Sequence, residues 1–186
     1  MSDLTSGTFG LIGVAVGAAA TFAGTVWQQR KQADTQRQER ERLRNEAAMD
    51  AAGQALLKVQ DLFREVPPRD GTGQDEWKRD VGRHVDAALL PVSSLTDSTL
   101  RDRMLNVVTI LENWEYAGRS AGSESWIIGE VCRHGIECLA AHRRGASLPG
   151  SNETVALASS HVSHYLSYED EQRMRALADE RSMDPP

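Results

Sequence analysis

The residues best suited to chemistry lie in one stretch, where Glu130, His134, Cys138 and His142 recur every four positions. On an α-helix that spacing makes a single ridge, because side chains three and four apart share a face. Thiolate and imidazole suit zinc, and adjacent members of such a ridge can grip one ion between them. His161 and His164, three apart in the next apolar segment, are the groups that would complete the site from a facing helix. The surrounding pattern argues against this use. The apolar face here, Ile128, Val131, Cys132, Gly135, Ile136 and Leu139, centres near Cys132, Ile136 and Leu139. His134 then falls almost opposite, towards solvent, with Cys138 and His142 on one flank. The expectation is no metal and no cofactor. Two cysteines are too few for a disulfide scaffold, so Cys132 and Cys138 read as thiols, with Cys132 filling core.

Other chemistry is thinner. Gly71-Thr72-Gly73 lacks the strand and helix of a dinucleotide loop, and no Walker loop occurs. Gly122-Ser123-Glu124-Ser125-Trp126 lacks the second glycine of a nucleophile elbow. Glu112, Glu115, Glu124 and Glu130 cluster in sequence, but each is equally a polar helix position or a first-turn acid. His84 reads as a solvated helix-face residue, and Trp77, Trp114 and Trp126 as core or boundary aromatics. No catalytic residue is assigned, and the chain reads as a non-enzyme.

The elements that would position any site begin with an apolar run. Between Asp3 and Arg30 lie 26 uncharged residues, and the 20 from Thr8 to Trp27 carry no strong polar group. As a helix rising ~1.5 Å per residue, this run crosses the ~30 Å hydrocarbon layer of a bilayer. Arg30, Lys31, Arg37, Arg40, Arg42 and Arg44 all follow it and none precedes it, which places the N-terminus outside and the remainder in the cytoplasm. An acid at Asp3 and no basic start argue against a cleaved signal peptide. Trp27, Arg30 and Lys31 fit an interfacial anchor. Gly10, Gly13, Gly17, Ala20 and Gly24 are spaced 3, 4, 3 and 4, a side-chain-poor stripe through which two membrane helices can approach closely. The expected partners are a lipid bilayer, a second copy through this stripe, and an unidentified cytoplasmic protein.

The rest divides by charge. Residues 28–44 carry six basic and three acidic groups, a net +3; residues 45–186 carry 15 and 23, a net −8. An acidic main domain argues against nucleic acid, which binds basic faces. The run 28–46 is polar all round and free of Pro and Gly, so it reads as a helical stalk.

Beyond it, helical apolar stripes recur. Ala48, Ala52, Ala55, Leu56, Val59, Leu62, Phe63 and Val66 form the first, ended by Pro67-Pro68 and a loop at 69–73. Trp77, Val81, Val85, Ala88 and Leu89 form the second, stopped by Pro91. The third holds Leu100, Met104, Val107, Val108, Leu111 and Trp114, with Thr96 as N-cap and Gly118 as C-cap. The fourth, already described, starts at Ser123 and ends with His142, Arg143, Arg144 and Gly145. Ser151 or Asn152 starts a fifth with Val155, Ala158, Val162 and Tyr165. Ser167 with Asp170 resembles a capping box, which either starts a sixth helix from Tyr168 to about Arg181 or only bends one long helix; the pattern leaves both open. No segment alternates as a strand does. The expected fold is all-α: an N-terminus (1–7), a transmembrane helix (8–27), a stalk (28–46), an antiparallel bundle of about four to six helices (47–181) and a disordered tail (182–186). The function this implies is a membrane-anchored, self-associating helical adaptor. The alternative is a regulatory subunit in which span association is coupled to the bundle.

Overall fold

The computed structural model describes residues 3–65, 71–117 and 124–183, with the side chains of 3–26, 124 and 179–183 outside that description. Among the described residues there are six helices and no strand: α1 (Asp3–Arg64), α2 (Gly71–Ser93), α3 (Ser98–Glu112), α4 (Trp114–Ala117), α5 (Glu124–Arg143) and α6 (Glu153–Met183). The chain forms two compact units, Met1–Arg44 and Asn45–Pro186, and α1 contributes to both.

In the first unit the backbone is helical from Asp3 onward. The apolar run expected to span a bilayer, and its stripe of Gly10, Gly13, Gly17, Ala20 and Gly24, fall where side chains lie outside the described residues. Among the described residues no helix is long and apolar enough to cross a membrane. From Trp27 to Arg44 every side chain is exposed, as a helix without an apolar face requires.

The second unit is a helical bundle, and its stripes pack as their periods dictate. Ala48, Ala52, Ala55, Leu56, Val59 and Phe63 of α1 are buried, together with Met49. In α3, Leu100, Met104, Val107, Val108 and Leu111 are buried, and in α6 so are Val155, Ala158 and Val162. α3 packs on α2, α5 and α6, and α5 also packs on α6. Gly135 of α5 marks the tightest approach: a Cβ there would lie 2.8 Å from Leu56 Cδ1 and 3.2 Å from Val107 Cγ1.

Several ends differ from expectation. Pro91 does not stop α2; it sits in the last turn. Proline there leaves the Ala87 carbonyl without its helical donor, yet the turn closes because Ser93 Oγ donates to Leu89 O (2.8 Å) and Ser94 N–H to Leu90 O (3.1 Å). The extension buries Val92 and leaves Leu89 exposed, reversing its expected role. α2 also starts earlier than expected, at Gly71, whose φ of +70° lies in the left-handed region open to glycine. The N-cap of α3 is Asp97, whose carboxylate accepts from Leu100 N–H at 2.7 Å. Thr96 instead donates its N–H to Asn45 Oδ1 (3.1 Å), joining the loop to α1. α3 ends at Glu112, and Trp114 belongs to the separate turn α4.

Asn152 caps α6, accepting from Val155 N–H at 2.8 Å. Ser167 lies mid-helix, so 153–183 is one helix rather than two, and Ser182 and Met183 of the expected tail belong to it. The α5 stop is as read. Ala146 N–H donates to Ala141 O (3.0 Å) and Gly145 N–H to His142 O (2.9 Å), the two bonds of a Schellman motif with Gly145 at φ +64°. Pro67, Pro68, Gly118 and Ser123, expected as stops or caps, lie outside the described residues.

The two glycines Gly135 and Gly82 predict opposite outcomes. Gly135→Leu forces a side chain into Leu56 and Val107 and should destabilise the bundle by about 2 kcal/mol or more. Gly82, inside α2, has nothing within 4 Å of an added Cβ, so Gly82→Ala should stabilise by about 0.5–1 kcal/mol through helix propensity. Urea unfolding of the two variants checks both signs.

Candidate functional site

The ridge on α5 is only partly assembled. His134 is 2 % exposed, not turned to solvent, because α1, α3 and α6 surround α5 over a wider arc than its apolar stripe marks. Cys138, expected on a flank, is fully buried, and its Sγ lies 3.7 Å from His134 Nε2. Cys132 is buried as expected.

The remaining ridge members do not converge on this pair. Glu130 is paired with Arg133 and accepts from Asn152 Nδ2 at 3.3 Å, and Arg133 holds its carboxyl below the usual range. His142 is half-buried in the last turn of α5. On α6, His161 is half-buried and His164 exposed. Among the described residues, no three His, Cys, Asp or Glu side chains come together as a metal site would require.

Electrostatics keeps the buried pair uncharged. Burial first, and the Arg103 guanidinium second, push His134 below its ordinary value. Burial raises the Cys138 thiol, against the opposing pull of Arg103. Burial also lifts Cys132 to about 12. A neutral imidazole facing a thiol is a satisfied core contact; a nucleophile would need thiolate and access.

A concave feature of the bundle lies elsewhere. A cleft of about 320 Å³ runs between α2 and the junction of α3 with α4. Val81, Val85 and Leu111 are its buried floor, Trp114 and Tyr116 stand beside it, and Gly82 lines its α2 side. Asp86 and Glu112 also line it, and the Glu112 carboxyl is raised by partial burial first and by Asp86 second. Lys78, also on the lining, is 2.6 Å from Glu115 Oε1, with its Nζ 6.0 Å from the Trp114 ring centre.

Trp114 is fixed from behind. Phe63, Trp77 and Trp114 meet edge to face, with centroids 5.0, 5.3 and 5.4 Å apart. Trp77 Nε1 donates to Leu62 O at 3.1 Å. Tyr116 stacks on Tyr165 of α6, which in turn donates to Glu169, and that bond raises the Tyr165 phenol. Trp126 is 53 % exposed and takes no part in this cluster. Sequence reading assigned Glu112 and Glu115 no role and did not mark Asp86. A Gly among apolar residues in α2 was the available signal.

In the first unit, Trp27 is 64 % exposed and Lys31 Nζ lies 5.3 Å from its ring centre. Arg30 is exposed beside it. No protein-family model, no curated protein and no solved structure matches the chain.

The state of His134 carries a pH prediction. Its proton affinity is lowered on folding, so between its folded value and about 6.5 the unfolded chain binds more protons. The associated stability is present above about pH 6.5 and is lost as pH falls below it. Urea midpoints measured from pH 7.5 to 5.5 should decline, and His134→Gln should flatten that decline.

Proposed function

We propose that the chain is a single-pass membrane-anchored, non-enzymatic adaptor: the N-terminal helix holds it in a bilayer and the helical bundle binds a cytoplasmic protein. The observation that carries this is the charge-free run between Asp3 and Arg30 with every nearby basic residue on its C-terminal side. An uncharged run of 26 positions followed by a stretch of net +3 is the pattern that orients a membrane span. The exposed Trp27 with Lys31 against its ring suits an interfacial position, where an indole and a cation face headgroups. The orientation follows, with the N-terminus outside and the bundle in the cytoplasm.

Self-association is part of the proposal. Gly10, Gly13, Gly17, Ala20 and Gly24 share one face, and small residues let helix backbones meet where lipid supplies no hydrophobic drive. A regulatory role is the second reading. It is favoured by the uninterrupted helix Asp3–Arg64, which enters both compact units. Coupling in that reading needs a two-state element that the span biases.

Three measurements test this. In carbonate-washed lysates without detergent, the full-length chain should pellet with membranes; recovery in the supernatant would reject the anchor. Gly17→Leu should lower oligomer yield in a membrane two-hybrid assay, and unchanged yield would remove the glycine face. Amide exchange over residues 45–64 should differ between Gly17→Leu and wild type if association is transmitted, and should be identical if the helix only tethers.

A further inference from the structure

We propose that the cleft between α2 and the α3–α4 junction docks a basic segment of a partner protein, which inserts one arginine or lysine side chain. The stem of that side chain lies on Val81, Val85 and Leu111, and its cationic head meets Asp86 and Glu112. The proposal rests on the adaptor reading and names the class of partner.

Three features of the cleft select this occupant. Its volume of about 320 Å³ is at the low end for a ligand pocket, room for one long side chain and little more. Its floor is apolar and fully buried, and Trp114 stands beside it. Long basic side chains lay their methylenes on such a surface and present their charge at its rim.

Charge complementarity decides the sign of the head group. Asp86 and Glu112 both line the cleft, and the Glu112 carboxyl is raised by partial burial first and by the like charge of Asp86 second. A cation between them relieves the repulsion. Lys78, the basic residue of the lining, is engaged by Glu115. Residues 45–186 carry a net −8, which draws basic partners at long range.

Gly82 keeps the α2 side of the cleft open. It occupies a helix interior, where glycine is unfavourable, and no atom lies within 4 Å of where its Cβ would stand. A larger residue there projects into space without disturbing the core, so the site can be blocked in a folded protein.

The test uses the full-length chain labelled with 5-fluorotryptophan in zwitterionic nanodiscs, read by fluorine NMR, with Trp114→Phe assigning the Trp114 signal. N-butylguanidinium should shift that signal saturably and leave those of Trp27 and Trp126 in place. N-butylurea, its neutral isostere, should bind about tenfold more weakly or worse. Asp86→Asn and Glu112→Gln should each weaken the cation about fivefold. Gly82→Leu should abolish the shift, while Gly82→Ala retains the fold. Equal affinity for the two probes, or binding that survives Gly82→Leu, overturns the cleft as a cation site.

A nine-residue peptide with a central arginine should bind at least about tenfold more tightly than N-butylguanidinium and lose that gain when citrulline replaces the arginine. A peptide that binds no better than the small cation would make this a small-molecule site and reject the partner segment. A chain found in the detergent-free supernatant defeats the anchor without changing these titrations, so the two failures separate.

Discussion

The bundle depends on a single close approach at Gly135. Leu56 of α1 and Met104 and Val107 of α3 close over a position of α5 that has no side chain, and all three are fully buried. Interiors are packed to crystal-like density, so a helix can come this near to two neighbours only where one of them contributes backbone alone. Polar ties surround that seat. Gln60 Nε2 of α1 reaches Gly129 O at 3.4 Å, and Asp50 pairs with Arg143 at the far end of the same helix. Arg103 Nη1 of α3 donates to Pro149 O (2.9 Å), and Ser159 Oγ of α6 to Asn106 Oδ1 (2.9 Å). Apolar burial supplies most of the stability, and these polar ties fix which face meets which.

That central seat explains the fate of the histidine and cysteine ridge. A helix with one neighbour buries one stripe, and its centre can be read from leucine, isoleucine and valine. A helix with several neighbours buries an arc too wide for that reading. In α5 the added arc is occupied by His134 and Cys138, which the stripe of leucine, isoleucine and valine does not mark. The sequence therefore placed His134 on the wrong side although it put Cys132 and Leu139 on the right one. The pairing of His134 with Cys138 follows directly from their i, i+4 spacing, while their burial depends on which helices surround them.

Elsewhere, legibility followed whether the signal was local. The stripes Val81–Val85–Ala88 and Leu100–Met104–Val107–Leu111 are set by period alone and were read directly. So was the Gly145 stop, and the cap of α6 was narrowed to Ser151 or Asn152, of which Asn152 accepts from Val155 N–H. Thr96 and Asp97 are both acceptable N-caps in isolation; Asp97 takes the role by accepting from Leu100 N–H, while the Thr96 N–H goes to Asn45, 51 residues away. Ser167 offers a cap that α6 does not use, since continuing the helix leaves no backbone group wanting. The cleft was legible only as a lone glycine, Gly82, among the apolar residues of α2. Trp77, Trp114 and Phe63 come from three helices, and Asp86 and Glu112 line one cleft only once α2 lies on α3.

Comparison of the glycines separates packing from function. Gly135 carries the intrinsic cost of a helix-interior glycine, and the close approach of Leu56 and Val107 explains it. Gly145 is explained by its positive φ, and Gly53 lies in ordinary contact with Leu139 at 3.7 Å. Gly129 is open, but its carbonyl receives Gln60 in the contact between α1 and α5. Gly82 has none of these reasons: it sits in a regular helix, has no close neighbour and needs no unusual backbone angle. What it lines is an apolar floor with two carboxylates at hand. A small residue without a packing role beside a cleft is what the docking proposal uses: it leaves the α2 side of the cleft open and can be enlarged without disturbing the core.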